Sequence, residues 1–222
     1  GAYALDAMVT GSQSTGIGYN ALSNATTSQY NTAVGSRCLE QATTGSGRNT
    51  AVGNEAMEET TTGYYNVAVG SNSLESNTTG HSNVAIGINA LLVSNGSQNV
   101  AVGGFALDAN TTANNNVAIG YNSLTANTTG NDNMGVGYNT LKSNIGGSGN
   151  AAIGSGSMAS NTGGDYNTAV GNNSLNENEG GDKNVAIGNS SLRDNTSGNN
   201  NTSVGKSSSQ LITTGDDNVT LG

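Results

Sequence analysis

Asn83-Val84-Ala85-Ile86-Gly87, repeated as Asn184-Val185-Ala186-Ile187-Gly188, is the stretch on which the reading of this chain turns. A third copy is Asn31-Thr32-Ala33-Val34-Gly35, and its closing glycine returns at Gly18, Gly35, Gly53, Gly70, Gly87, Gly103, Gly120, Gly137, Gly154, Gly171, Gly188, Gly205 and Gly222. Counted from Gly1, eleven of the thirteen intervals are 17 residues, one is 18 (Gly35 to Gly53) and one is 16 (Gly87 to Gly103). So strict a period marks a solenoid, in which each repeat buries its apolar side against its neighbours. Residues 1–222 are therefore expected to form one all-β repeat domain, a parallel β-roll of about 13 turns. Both ends fall on the anchor glycine, and neither carries a polar capping repeat, so the chain is expected to be a stretch of a longer fibre.

Five residues of strict alternation predict a strand. Successive side chains of a strand point to opposite faces, so Asn, Ala and Gly share one face while Thr/Val and Val/Ile share the other. The small face suits the inside of a flattened coil, and its repeated Asn can hydrogen-bond from turn to turn as amide ladders do. Val34, Val52, Val69, Ile86, Val102, Ile119, Val136, Ile153, Val170, Ile187 and Val204 then form an outward stripe. A continuous apolar stripe is an association surface, and threefold closure would bury one stripe from each of three chains. The reverse assignment, with Val/Ile inside and Ala outside, stays open on sequence alone. Four residues after each glycine stands Leu or Met (Leu22, Leu39, Met57, Leu74 and so on), which predicts a second short strand. Asn-Thr-Thr-Gly runs such as Asn77 to Gly80 predict the other bend. The extra residue before Asn49 and the missing one before Gly96 both fall in that bend.

Composition excludes several functions. Apolar residues make up 33% and aromatic residues 4%, too few for a bulky globular core. The net charge is −9 and the six basic residues are scattered, which argues against nucleic-acid binding. No run is long and apolar enough for a membrane helix, so no membrane insertion is expected of this segment. One histidine, one cysteine and dispersed carboxylates provide no nucleophile with a base and an orienting partner, so the chain is not read as an enzyme. No metal or cofactor is expected: His81 lacks partners at ligand spacing, and Asp165, Asp182 and Asp216 recur in too few turns for a calcium roll. Cys38 takes a slot filled by Ala21, Ala56 and Ala90, and reads as a packed small side chain.

Tyr19, Tyr64, Tyr65, Tyr121 and Tyr138 are the candidate surface contacts, since exposed tyrosines stack on sugars or join interfaces. Their spread over distant turns argues against a single pocket. Threonine pairs such as Thr43 with Thr44 and Thr61 with Thr62 raise ice binding as an alternative, although an ice face wants threonines alternating along a strand.

The period and the Asn-Thr-Ala-Val-Gly, Ala/Ser-Leu and Asn-Thr-Thr-Gly runs resemble the β-roll repeats of trimeric phage tail fibres and related bacterial surface fibres. They are more loosely similar to the heads of trimeric autotransporter adhesins, whose repeat is shorter. The resemblance covers essentially the whole chain. It implies a left-handed β-roll, three chains side by side as a homotrimer, an extracellular location on a virion or cell surface, and a role in adhesion or host attachment through a host-surface glycan or protein receptor.

Overall fold

The computed structural model describes residues 1–43 and 45–222; Thr44, a member of one threonine pair and of the lengthened bend, lies outside the described residues. The chain falls into two units, Gly1–Ala113 and Asn114–Gly222. Unit one carries β1 (Thr15–Ile17), β2 (Thr32–Val34), β3 (Thr50–Val52), β4 (Val67–Val69), β5 (Val84–Ile86) and β6 (Val100–Val102). Unit two carries β7 (Val117–Ile119), β8 (Met134–Val136), β9 (Ala151–Ile153), β10 (Thr168–Val170), β11 (Val185–Ile187), β12 (Thr202–Val204) and β13 (Val219–Leu221). The described residues contain no helix. Counted along the chain, the thirteen strands bound about 12 turns of a β-solenoid. The glycine spacing implied one more, but the residues before β1 form no strand.

Within each unit successive strands pair parallel and in register. Ala33 faces Ala51, Ala51 faces Ala68, and Ile187 faces Val204. The 17-residue period thus sets each residue type on its own kind, forming vertical columns. Alanine of every strand from β2 to β7 is completely buried, as are Ala152, Ala169 and Ala186. The residues on either side of it are half-buried or exposed, with Ile86, Ile119 and Ile153 each 40% exposed. The small residues therefore fill the coil and the valines and isoleucines point out, which settles the face that the sequence left open.

The predicted second strand is replaced by a different backbone. Residues two and four positions after each anchor glycine have positive φ, for example Asn72 at 56° and Leu74 at 51°. Every Leu or Met of this column, from Leu22 to Leu192, has φ between 47° and 55° and is fully buried. Alternating left- and right-handed residues shorten the segment relative to a strand yet keep it bonded to its neighbours. Asn72 N–H donates to Asn54 O of the preceding circuit (2.9 Å), while Leu74 and Ser76 N–H donate to Ala90 O (3.0 Å) and Leu92 O (2.9 Å) of the next. We call this segment the arm.

The left-handed conformation costs about 1–2 kcal/mol per non-glycine residue, and complete burial of a Leu side chain returns about 1.5–3 kcal/mol. Branching at Cβ would make the left-handed backbone much worse. The column accordingly admits Met57 and Met158 but no Val, Ile or Thr. The arm packs across the coil from the strands: a Cβ built on Gly135 of β8 would lie 2.6 Å from Ser123 Oγ and 3.6 Å from Leu124 Cδ1.

Candidate functional site

Two surfaces and three ladders are the features with functional content. The ladders fix the geometry, so they come first. The Asn before each strand from β2 to β12 is buried, and its Oδ1 accepts the backbone N–H of its counterpart one circuit on, as in Asn66 to Asn49 (2.9 Å), Asn83 to Asn66 (2.9 Å) and Asn184 to Asn167 (2.9 Å). Its Nδ2 donates to a carbonyl of the next bend, such as Gly80 O from Asn66 or Gly181 O from Asn167. The amide thereby ties strand start and bend together; the sequence had predicted the turn-to-turn bonding of this column but not its tie to the bend.

A second ladder was not foreseen. The Asn of Asn-Thr-Thr-Gly was read as a turn former, yet Asn127, Asn144, Asn161, Asn178 and Asn195 are buried and bond in series, Nδ2 to Oδ1, at 2.7, 2.7, 2.8 and 2.9 Å. The series stops where the following circuit offers Ile212, and Asn195 Oδ1 is left without a donor. The third ladder is near the surface. Asp165 and Asp182, weighed as calcium ligands, instead accept backbone N–H groups from Ser148 (2.7 Å) and Asp165 (2.8 Å), and Asp216 accepts from Asn199 (2.7 Å). No group of three metal-ligating side chains occurs among the described residues.

The shortened circuit is absorbed in the bend. Where the bend is one residue short, the Oδ1 of Asn95 accepts Thr78 N–H (2.8 Å), Thr78 Oγ1–H (2.7 Å) and Thr79 N–H (3.2 Å). Elsewhere a backbone carbonyl takes these bonds: Thr78 O receives Thr61 N–H and Thr62 N–H at 3.0 Å each.

The first surface is the strand face. In unit one Val67, Val69, Val84, Ile86, Val100 and Val102 occupy six positions on three adjacent strands, all facing out. Val34 and Val52 continue the column on β2 and β3. In unit two the corresponding column is Ile119, Val136, Ile153, Val170, Ile187 and Val204, the exposed members Ile119, Ile153 and Ile187 being 40%, 40% and 41% accessible. All eleven predicted stripe residues thus lie outward.

The second surface is aromatic, and the five predicted tyrosines separate into three places. Tyr19 meets Tyr3 edge to face at 6.1 Å. Tyr121 and Tyr138 stack at 6.1 Å with an interplanar angle of 11°. Tyr64 and Tyr65 join a cluster that spacing along the chain concealed, because its members come from four circuits. The Arg48 guanidinium lies 5.1 Å from the Tyr30 ring and 5.5 Å from the Tyr65 ring, while Tyr64 contacts Tyr65 and stacks on His81 at 4.8 Å. His81 is therefore half-buried and packed against Tyr64. The neighbouring hollow, about 200 Å³, is lined by Gln29, Tyr30, Gly47 and Arg48 among others.

Cys38 occupies its predicted small slot. It is fully buried with Sγ 2.6 Å from Gly53 O, and burial pushes its thiol pKa up. A thiol so enclosed is inert. Ellman's reagent is expected to leave folded protein unmodified and to titrate one thiol per chain only on denaturation; prompt reaction under native conditions would contradict the burial.

The fold places the chain in the class of parallel β-solenoid repeat proteins. No family model matches the chain, and no curated protein matches its sequence. No helix among the described residues is long and apolar enough to cross a membrane.

Proposed function

We propose that the chain is a structural segment of an extracellular trimeric fibre of the phage tail-fibre or bacterial surface-fibre kind, a left-handed β-roll that associates side by side and takes part in adhesion or host attachment. The observation that carries this reading is the outward strand face. Parallel sheets are normally covered on both sides, and a run of exposed Val and Ile on adjacent strands is a surface that association would cover. Threefold packing covers one such face per chain about a common axis. The internal ladders supply rigidity, and repetition by three turns weak surface contacts into avidity.

An ice-binding role fits less well. The first threonine of several pairs donates its hydroxyl to the next circuit, as Thr61 does to Thr78 O (3.0 Å) and Thr128 to Ile145 O (3.2 Å), so these groups are engaged within the roll.

Association is tested by sedimentation. The chain is expected to run at three times its 22.0 kDa mass. The double variant Val69→Lys with Ile86→Lys, which sets two cations in register on β4 and β5, is expected to run as a folded monomer. Its circular dichroism should be unchanged, because neither side chain is in the coil. A wild-type chain that is monomeric, or a double variant that still trimerises, sinks the proposal.

A further inference from the structure

The second residue after the anchor glycine carries a side chain in every circuit but one. Asn139 and Asn173 occupy this place on either side of Gly156, which adopts the same left-handed backbone at φ 67°. A Cβ on Gly156 would run into Asn173 Oδ1. The missing side chain opens a groove of about 400 Å³ on the arm side of unit two, lined by Tyr138, Asn139, Lys142, Gly156, Asn173 and Asn176 together with small hydroxyl residues. That volume lies within the ~300–1,000 Å³ typical of small-molecule sites.

We propose that this groove binds a neutral saccharide. The Tyr138 ring, 56% exposed, stands at its edge and stacks on Tyr121, an arrangement that offers a flat apolar face to the C–H side of a sugar. Apart from Gly156 and Ala159, the rest of the lining is amide, hydroxyl and one ammonium group, a set that pairs with sugar hydroxyls and contains no carboxylate. Asn139 Oδ1 has no hydrogen-bond partner, a rare state for a covered amide oxygen, and rotation of this half-buried side chain would present it to a ligand hydroxyl. Asn176 Nδ2 donates to Gly156 O at 2.6 Å, which fixes the floor. A net charge of −9 disfavours acidic ligands. The groove lies on the arm, away from the strand face, so the inference stands apart from trimer formation.

The test uses the intact chain and three probes: lactose, maltotriose and N,N′-diacetylchitobiose. Binding is followed by saturation-transfer NMR and by tyrosine emission, which no tryptophan masks. At least one probe is expected to saturate with Kd of about millimolar strength. Gly156→Asn, which restores the side chain present in the flanking circuits, and Tyr138→Ala should each weaken that binding by at least about tenfold, since 1.4 kcal/mol corresponds to one decade. Unchanged melting of both variants shows that the roll is intact. Failure of all three probes to saturate, or equal binding by wild type and variants, overturns the proposal.

Discussion

Gly70→Ala is expected to destabilise the protein by about 2–6 kcal/mol, while Gly163→Ala leaves it unchanged or slightly more stable. Gly70 closes β4 at φ 135°, a conformation essentially reserved for glycine and costing other residues about 1–3 kcal/mol. The added Cβ would also lie 2.6 Å from Gly87 O and 2.7 Å from Gly87 C, the anchor of the next circuit. Those are backbone atoms held by the bond from Gly87 N–H to Val69 O (2.8 Å), so they cannot swing aside as a side chain would. Overpacking of this kind adds about 1–3 kcal/mol. A Cβ on Gly163 meets nothing within 4 Å, and its backbone needs no left-handed φ. There the substitution only narrows the unfolded ensemble, worth about 0.4–1 kcal/mol in favour of the fold. Chemical denaturation of both variants checks the pair; equal effects at the two sites would show that contact between successive anchor glycines does not constrain the roll.

The second large effect is expected at the buried amide ladder. Asn167→Ala removes the acceptor of Asn184 N–H (2.9 Å) and the donor to Gly181 O (2.8 Å). Gly181 O keeps Asn178 Nδ2 (2.9 Å), but Asn184 N–H is left buried and unpaired. An orphaned buried donor costs about 1–3 kcal/mol, and the lost bond about 1 kcal/mol more, for a total of about 2–4 kcal/mol. Because repeats couple mainly to their neighbours, the damage should be local. Hydrogen exchange should accelerate at Asn184 and the β10–β11 pairing while β2 and β3 exchange as before. Asn172→Ala, at an exposed position of the same circuit, should cost under about 0.5 kcal/mol. Uniform loss of protection along both units would show that the circuits do not behave as nearest neighbours.

The strands, their register and the inside of the coil were legible because a period of 17 and an alternation of two act on the same five residues. Asn31, Ala33 and Gly35 must share a face whatever the rest of the turn does. The arm was misread because a fully buried Leu every seventeenth residue looks the same on a strand as on a left-handed turn. A signal was present nonetheless. The columns of Asn72 and of Leu74 contain no β-branched residue, whereas the strand columns on either side of alanine are mostly Val, Ile and Thr. Asparagine, the residue that best tolerates positive φ after glycine, fills half of the first of these columns. The cluster of Tyr30, Arg48, Tyr65 and His81 stayed hidden for another reason: its members stand one per circuit, and only the coiling of the chain sets those circuits side by side. The groove at Gly156 was invisible because one glycine among 34 attracts no notice until the column it interrupts is known.

Asn95, standing in for a carbonyl that a shortened corner no longer supplies, carries a lesson about how such a coil can change. Coils above and below stay in phase because an amide oxygen from a side chain has taken up the duty of the main chain. Gains or losses of sequence at that corner are thus survivable wherever a polar side chain can reach one level down. The opposite limb, with its close-set glycines, allows no such substitution. Novel loops grafted onto this scaffold belong at the Asn95 corner.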